Sequence, residues 1–364
     1  MTFSAIDHAH MAQALRLAER GAYTTRPNPM VGCVLAQGAE VVGEGFHLRR
    51  GEPHAEVHAL NQAGERARGA TAYVTLEPCA HVGNTPPCAE ALIAVGVARV
   101  VAACRDPFPE VDGRGLEKLR ASGIAVEIGL METAARALNR GFLARIERGR
   151  PWLRVKLAMS LDGRTALPDG DSKWITSEAA RADAQRWRAR AGALLTASGT
   201  VLADDPRLTV RLGDDTPFVA PLRVVLDVGL ATPSRSHVMD AEAPTVFFHA
   251  PDVKLSSEFR ARDRVAVPES KGRLDLDAVA GELARRGINE VQVEAGATLA
   301  GALLQAGLVD ELLLYIAPVL LGEHGRPLFA GVDPLNMAER LGFRLIELRQ
   351  VGADLRLLLQ PEAR

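Results

Sequence analysis

Apolar positions in the first part of the chain switch repeatedly between helical and strand spacing. Met11, Ala14, Leu15 and Ala18 recur near helical spacing, which predicts an opening helix over Ser4–Arg20. Ser4-Ala5-Ile6-Asp7 reads as a capping box with Asp in place of the usual Glu or Gln, and Gly21 stops the helix. Val31–Ala36 and Glu40–Gly43 read as two strands joined at Gln37-Gly38-Ala39. A helix over His54–Ala63, a strand over Ala70–Leu76, a helix over Cys88–Val95 closed by Gly96 and a strand over Arg99–Ala103 follow. Alternation of this kind predicts helices packed around a sheet.

Glu147-Arg148-Gly149-Arg150-Pro151 interrupts the pattern with polar and helix-breaking residues, so a domain boundary is expected there. Beyond it, apolar runs predict strands at Leu153–Met159, Ala193–Ala197, Leu222–Asp227, Thr245–Phe248, Glu290–Glu294 and Glu311–Ile316. Helices are expected at Glu178–Ala191, Leu276–Arg286 and Leu299–Ala306. This is a second α/β domain, with no internal repeat.

Composition narrows the class. A chain of 364 residues exceeds one typical core, which agrees with two domains. The net charge of −2 provides no broad basic field, so no nucleic-acid partner is expected. No apolar run is long enough to span a membrane, and Met1-Thr2-Phe3-Ser4 lacks the basic start of a secretory signal. A cytoplasmic location is therefore expected. Cys33, Cys79, Cys88 and Cys104 read as thiols or metal ligands rather than a disulfide framework.

The chemistry concentrates in His54-Ala55-Glu56, Pro78-Cys79 and Pro87-Cys88. His54, Cys79 and Cys88 supply the three protein ligands of a catalytic Zn2+ site whose fourth position admits water. Glu56 is placed to move protons without binding the metal. A closed structural site is the alternative and needs a fourth ligand, for which His58 and His81 are available. A zinc-protease motif is excluded, because Ala55 stands where that motif requires Glu.

These residues resemble the cytidine-deaminase superfamily. Eight residues separate Cys79 from Cys88, and the segment ends Thr85-Pro86-Pro87-Cys88. That ending, with Arg26–Gly32 and Gly43–His47, resembles the pyrimidine deaminase of riboflavin biosynthesis. The resemblance implies that Asn28 and His47 contact the substrate ring or its sugar. Asn84 stands where relatives often carry Lys or Arg, and His81 is the candidate to take up that contact.

In the second half, Lys156–Arg164, Ser172–Ser177, Gly199–Arg211 and Glu294–Gly301 stand out. Small residues where a strand turns into a helix suit an anionic ligand, although ordinary turns use the same residues. Neither a dinucleotide fingerprint nor a phosphate loop is present. Taken in order, the four motifs resemble the riboflavin-pathway reductase, whose fold is similar to dihydrofolate reductase. The resemblance implies NADPH lined by Ala158, Trp174, Thr200, Asp204 and the turn of Gly296, Ala297, Thr298, Leu299, Ala300, Gly301 and Ala302. It implies a substrate faced by Ser172, Arg188, Leu208, Arg211 and Glu294, with Lys156 near the hydride path.

The resulting expectation is a cytidine-deaminase-like three-layer α/β/α domain over residues 1–149. A dihydrofolate-reductase-like α/β domain should occupy residues 150–364. Together they would act in sequence on a phosphoribosylated aminopyrimidine, and the resemblance implies a homo-oligomer. One alternative is a nucleic-acid deaminase of the tRNA adenosine type fused to an unrelated reductase. Another is a zinc-stabilised binding module.

Overall fold

A computed structural model describes residues 3–80 and 87–362. The chain divides into two compact units, Met1–Gly149 and Arg150–Arg364.

The first unit opens with α1 (Ala5–Glu19), and its capping box forms as the sequence predicts. The Asp7 N–H donates to Ser4 Oγ at 3.1 Å, and the Ser4 N–H donates to Asp7 Oδ2 at 2.8 Å. The strands β1 (Gly32–Gln37), β2 (Glu40–Phe46), β3 (Thr71–Val74), β4 (Arg99–Ala102) and β5 (Ala125–Ile128) form one sheet in the order β2-β1-β3-β4-β5. β1 is antiparallel to both neighbours, whereas β3, β4 and β5 are parallel. One face packs Leu35, Val74 and Val100 against α2 (Ala55–Ala63), α3 (Cys88–Val95) and α4 (Arg114–Ala121). The other packs Val34, Tyr73 and Val101 against α1 and the helices α5 (Glu132–Leu138) and α6 (Arg140–Arg148). Three layers result.

Two glycines bring α2 onto β2. A Cβ at Gly43 would lie 2.2 Å from the Ala59 carbonyl oxygen, and one at Gly45 would lie 2.5 Å from that of Ala55. The approach places the start of α2, and with it His54 and Glu56, against the sheet.

In the second unit, seven parallel strands run in the order Asp263–Ala266, Thr245–His249, Leu222–Leu226, Ala193–Ala197, Glu290–Val293, Trp152–Ser160 and Glu311–Ala317. The antiparallel strands Asp354–Pro361 and Phe343–Val351 complete the sheet. The central strands are buried along nearly their whole length, so they bury Arg223, Glu290 and Gln292 as well as their apolar residues. Among the described residues, no helix is long and apolar enough to cross a membrane.

Several elements exceed the sequence expectation. α4 buries little more than Leu116 and Leu119 among its charges, and β5 is a half-exposed edge strand. The closing hairpin is missing from the sequence reading because Phe343–Val351 is largely exposed and mixes charged with apolar residues.

Asp7 joins the cap of α1 to the sheet. Its Oδ1 accepts from Tyr73 Oη at 2.7 Å and from Arg99 Nη1 at 2.6 Å. Burial opposes ionisation there, but Arg99 and the Ser4 N–H hold the carboxyl well below its ordinary value. Asp7→Ala should cost the first unit about 1–2 kcal/mol in urea unfolding, the magnitude of a lost cap. A group whose folded pKa is depressed stabilises above its unfolded pKa, and that stability is lost as pH falls. The difference between wild type and variant should therefore shrink as pH drops below 3.8.

Candidate active sites

In the first unit the parallel strand ends and the start of α2 converge on one cluster. His54 is the N-cap residue of α2, Cys79 follows β3, and Cys88 is the first residue of α3. His54 Nδ1 lies 3.2 Å from Cys88 Sγ and 3.6 Å from Cys79 Sγ. The three ligand atoms all fall within 4.8 Å of one another. Tetrahedral zinc with ordinary Zn–S and Zn–N bonds holds its ligand atoms roughly 3.5–3.8 Å apart, so the cluster has the right size. His58, the alternative fourth ligand, is not part of the cluster. His81 and Asn84 lie outside the described residues.

The local electrostatics favour a thiolate. The Cys88 N–H at the start of α3 donates to Cys79 Sγ at 3.3 Å. The Cys88 thiol, His54 and this N–H together pull the Cys79 thiol down to about 4, although burial opposes them. The Cys88 thiol is pushed up by sharing its proton with Cys79 and by burial. Hydrogen bonding to Cys79 raises His54 in turn.

Glu56 lies two residues beyond His54 and is 3% exposed. Burial and the neighbouring Cys79 raise its carboxyl to about 7, with His54 acting in the opposite sense. Its Oε2 makes no hydrogen bond among the described residues. An orphaned, buried carboxylate oxygen beside three metal donors suits a group that exchanges protons with a small ligand.

The cluster opens on a cavity of about 380 Å³. Asn28 and His47 both line it. Asn28 Nδ2 lies 3.2 Å from His47 Nε2, and His47 Nδ1 lies 3.3 Å from the Pro53 carbonyl oxygen. Burial lowers the His47 pKa, so a neutral ring that donates from Nδ1 and accepts at Nε2 satisfies both contacts.

Sequence reasoning missed part of this cavity. Asp106, Phe108 and Val111 form one wall, and Phe142 and Arg145 of α6 form another. Asp106 is buried, which lifts its carboxyl to about 7, and its Oδ1 accepts from the Phe108 N–H at 2.8 Å. The available signal was Asp106-Pro107-Phe108-Pro109, a proline-rich turn just past a parallel strand. Glu77 fixes this wall through its own backbone partners.

In the second unit, the strands ending at Ala197, Val293 and Ser160 are neighbours in the sheet. Their C-terminal ends gather most of the cofactor candidates, where open α/β sheets bind ligands. Ala158 lies in the last turn of its strand, and Thr200 and Asp204 lie on the helix Ser198–Asp204. Gly296 caps the helix Ala297–Gln305, and no atom lies within 4 Å of where its Cβ would stand. This open helix start, flanked by Ala297, Thr298 and Leu299, suits an anionic ligand. Ala300 and Gly301 are buried, and a Cβ at Gly301 would meet the Ala330 carbonyl oxygen at 2.0 Å. Their role here is packing. Ala302 is half-buried. Trp174 is 70% exposed with the Arg181 guanidinium 4.6 Å above its ring, near half-buried Ser172.

The substrate candidates centre on a buried ion pair. Arg188 Nε and Nη2 donate to the two carboxylate oxygens of Glu294, each at 2.7 Å. Arg188 Nη1 also donates to the Thr209 carbonyl oxygen at 2.9 Å. Burial opposes the charge on Glu294, yet Arg188 and Lys156 hold its carboxyl at about 2. Burial lowers the Lys156 pKa, and Glu294 partly restores it. Arg211 is exposed beside this group, with Nη1 3.2 Å from Thr209 Oγ1. Leu208 instead buries its side chain with Leu194, Val201 and Val225, at a left-handed φ of 47°. Its backbone alone is left to face a ligand.

Residues 4–104 match the cytidine and deoxycytidylate deaminase zinc-binding region, and residues 151–357 match the RibD C-terminal domain. The riboflavin biosynthesis protein RibD of Escherichia coli is 51% identical over 96% of this chain and 97% of its own length. A solved structure of Acinetobacter baumannii RibD superposes with a TM-score of 0.91 at 45% identity, covering 98% of this chain and 99% of that one. A Thermotoga maritima structure, titled a diaminohydroxyphosphoribosylaminopyrimidine deaminase/5-amino-6-(5-phosphoribosylamino)uracil reductase, superposes with a TM-score of 0.86 at 31% identity. It covers 98% of this chain and 99% of its own. An unrelated pairing of a nucleic-acid deaminase with some other reductase is not favoured, since single relatives carry both halves in this order. Likeness that runs unbroken through both units has one reading: the chain belongs to the family of bifunctional riboflavin-biosynthesis proteins that join a deaminase to a reductase.

Proposed function

We propose that residues 1–149 deaminate 2,5-diamino-6-ribosylamino-4(3H)-pyrimidinone 5′-phosphate. Residues 150–364 then reduce 5-amino-6-(5-phosphoribosylamino)uracil to its ribitylamino product. The observation that carries this reading is the His54, Cys79 and Cys88 cluster opening on the cavity that holds Glu56, Asn28 and His47. His54, Cys79 and Cys88 would hold zinc, which when bound would acidify a water molecule. Glu56 passes one proton of the attacking water to the ring nitrogen and the other to the departing amine, which leaves as ammonia. A carboxyl raised to about 7 suits that double role near neutrality. Asn28 and neutral His47 orient the ring, and the cavity walls exclude bulk water.

In the reductase, NADPH supplies a hydride when bound. The strand ends and the Gly296 turn hold the dinucleotide, while Lys156, Arg188, Arg211 and Glu294 form the polar wall facing the sugar. The buried Arg188–Glu294 pair keeps that wall in one geometry. We take the protein to work in the cytoplasm as a homo-oligomer.

Glu56→Gln should retain zinc but slow ammonia release by about 10²–10⁴-fold, with NADPH oxidation on supplied deaminated substrate intact. Ammonia release at the wild-type rate would sink the role given to Glu56. Cys88→Ser should lower zinc content, measured by elemental analysis, and abolish deamination while reduction continues. Arg188→Met should leave Glu294 buried without its cation and destabilise the second unit by about 3–5 kcal/mol. Reductase turnover should fall with it, and deamination should persist. An unchanged unfolding midpoint would show that the pair does not fix this wall.

A further inference from the structure

We infer that Arg145 is the residue that receives the phosphate group of the deaminase substrate, with Arg50 adding a second positive charge at the cavity mouth. The inference rests on the deaminase reading above. It starts from the distribution of charge around the cavity. The lining holds the acidic side chains of Glu52, Glu56 and Asp106 together with Cys79. Glu77 also lines the cavity, but its two oxygens already accept four backbone N–H groups. Arg50 and Arg145 are the lysine or arginine side chains on this lining among the described residues.

The two arginines differ in how firmly they are held. Arg50 is exposed on the loop leading to α2. Arg145 is half-buried in the last turn of α6, a helix fixed by the buried Phe142, Leu143 and Ala144. Its guanidinium lies 5.8 Å from the centroid of the Phe142 ring. A cation at a helix C-terminus is favoured by the macrodipole, and an aromatic face restrains its planar head. A guanidinium held in this way meets phosphate oxygens with two parallel hydrogen bonds at low entropic cost. Burial lowers the Arg145 pKa, in keeping with its half-buried place on the lining. The cavity volume of about 380 Å³ lies within the range of small-molecule sites. A phosphoribosyl group bound in this cavity can therefore meet Arg145, which lines the same space as His54, Glu56 and Cys79.

Arg145→Gln and Arg145→Lys should be compared on the phosphorylated aminopyrimidine and on its dephosphorylated form. For the Gln variant, the preference in kcat/KM for the phosphorylated compound should fall at least tenfold, chiefly through KM. Zinc content should match wild type, and the Lys variant should recover part of the preference. An equal fall on both compounds, or no fall, would overturn the assignment. A second readout does not depend on turnover. Phenylglyoxal labelling of the full chain, mapped by mass spectrometry, should show Arg145 protected by ribose 5-phosphate and not by ribose. If wild type released no ammonia, the deaminase reading would fall, and the labelling would still decide the anion site. Protection of Arg145 would uphold it, and equal labelling with either sugar would reject it.

Discussion

The deaminase cavity depends on how one buried carboxyl group is satisfied. Glu77 follows β3 and is 4% exposed, where an unpaired acid would cost several kcal/mol. Its Oε2 accepts from the N–H groups of Asp106 and Gly113 at 3.3 and 3.0 Å, and its Oε1 from those of Gly115 and Leu116 at 3.0 and 3.3 Å. One side chain thereby folds the segment after β4 into the wall that carries Asp106, Phe108 and Val111. The same segment approaches the metal cluster closely, because a Cβ at Gly115 would lie 1.9 Å from the Pro78 carbonyl oxygen. The residue next to Cys79 is therefore held by the wall that Glu77 organises.

The two units solve the problem of a polar site in different ways. In the first, reactive side chains stand at element ends: His54 caps α2, Cys88 opens α3, and Cys79 follows a strand. Close packing through Gly43 and Gly45 sets where those ends meet. In the second, polar residues lie within the sheet itself. Arg154 is fully buried between Glu290 and Glu311, at 2.7 and 2.6 Å, with its guanidinium 4.5 Å from the Trp187 ring. Arg188 follows Trp187 on the same helix, and Glu294 lies just past the end of the strand that Glu290 begins.

The sequence was most legible where local chemistry and burial agree. Ser4 and Asp7 announced the α1 cap, Gly96 the end of α3, and the apolar runs the buried parallel strands. The clustering of His54, Cys79 and Cys88 was legible because their residue types have few other uses in such motifs, whereas Asn28 and His47 came from the family resemblance alone. Glu77 was not legible, since a carboxylate serving backbone N–H groups 38 and 39 residues away leaves no local pattern. The helix of Phe142 and Arg145 was not read from the sequence, and nothing local shows that this segment borders a cavity. Leu208 illustrates the converse, because a motif position does not say whether backbone or side chain meets the ligand.

The helix Glu178–Arg190 lies on a sheet face that is polar over much of its length. Asp183 accepts from Tyr315 Oη at 2.6 Å and from Arg356 Nη1 at 2.9 Å, Trp187 lies against Arg154, and Arg188 grips Glu294. Ala180 and Ala184 pack closely against Leu313 and Leu358 on this face, and the hydrogen bonds add a fixed distance and direction. The rotation of this helix about its own axis is therefore indexed by discrete contacts at successive turns, like a key with several teeth. Movement by a single residue would break all of them together, so this wall of the reductase cleft has one setting rather than a continuum.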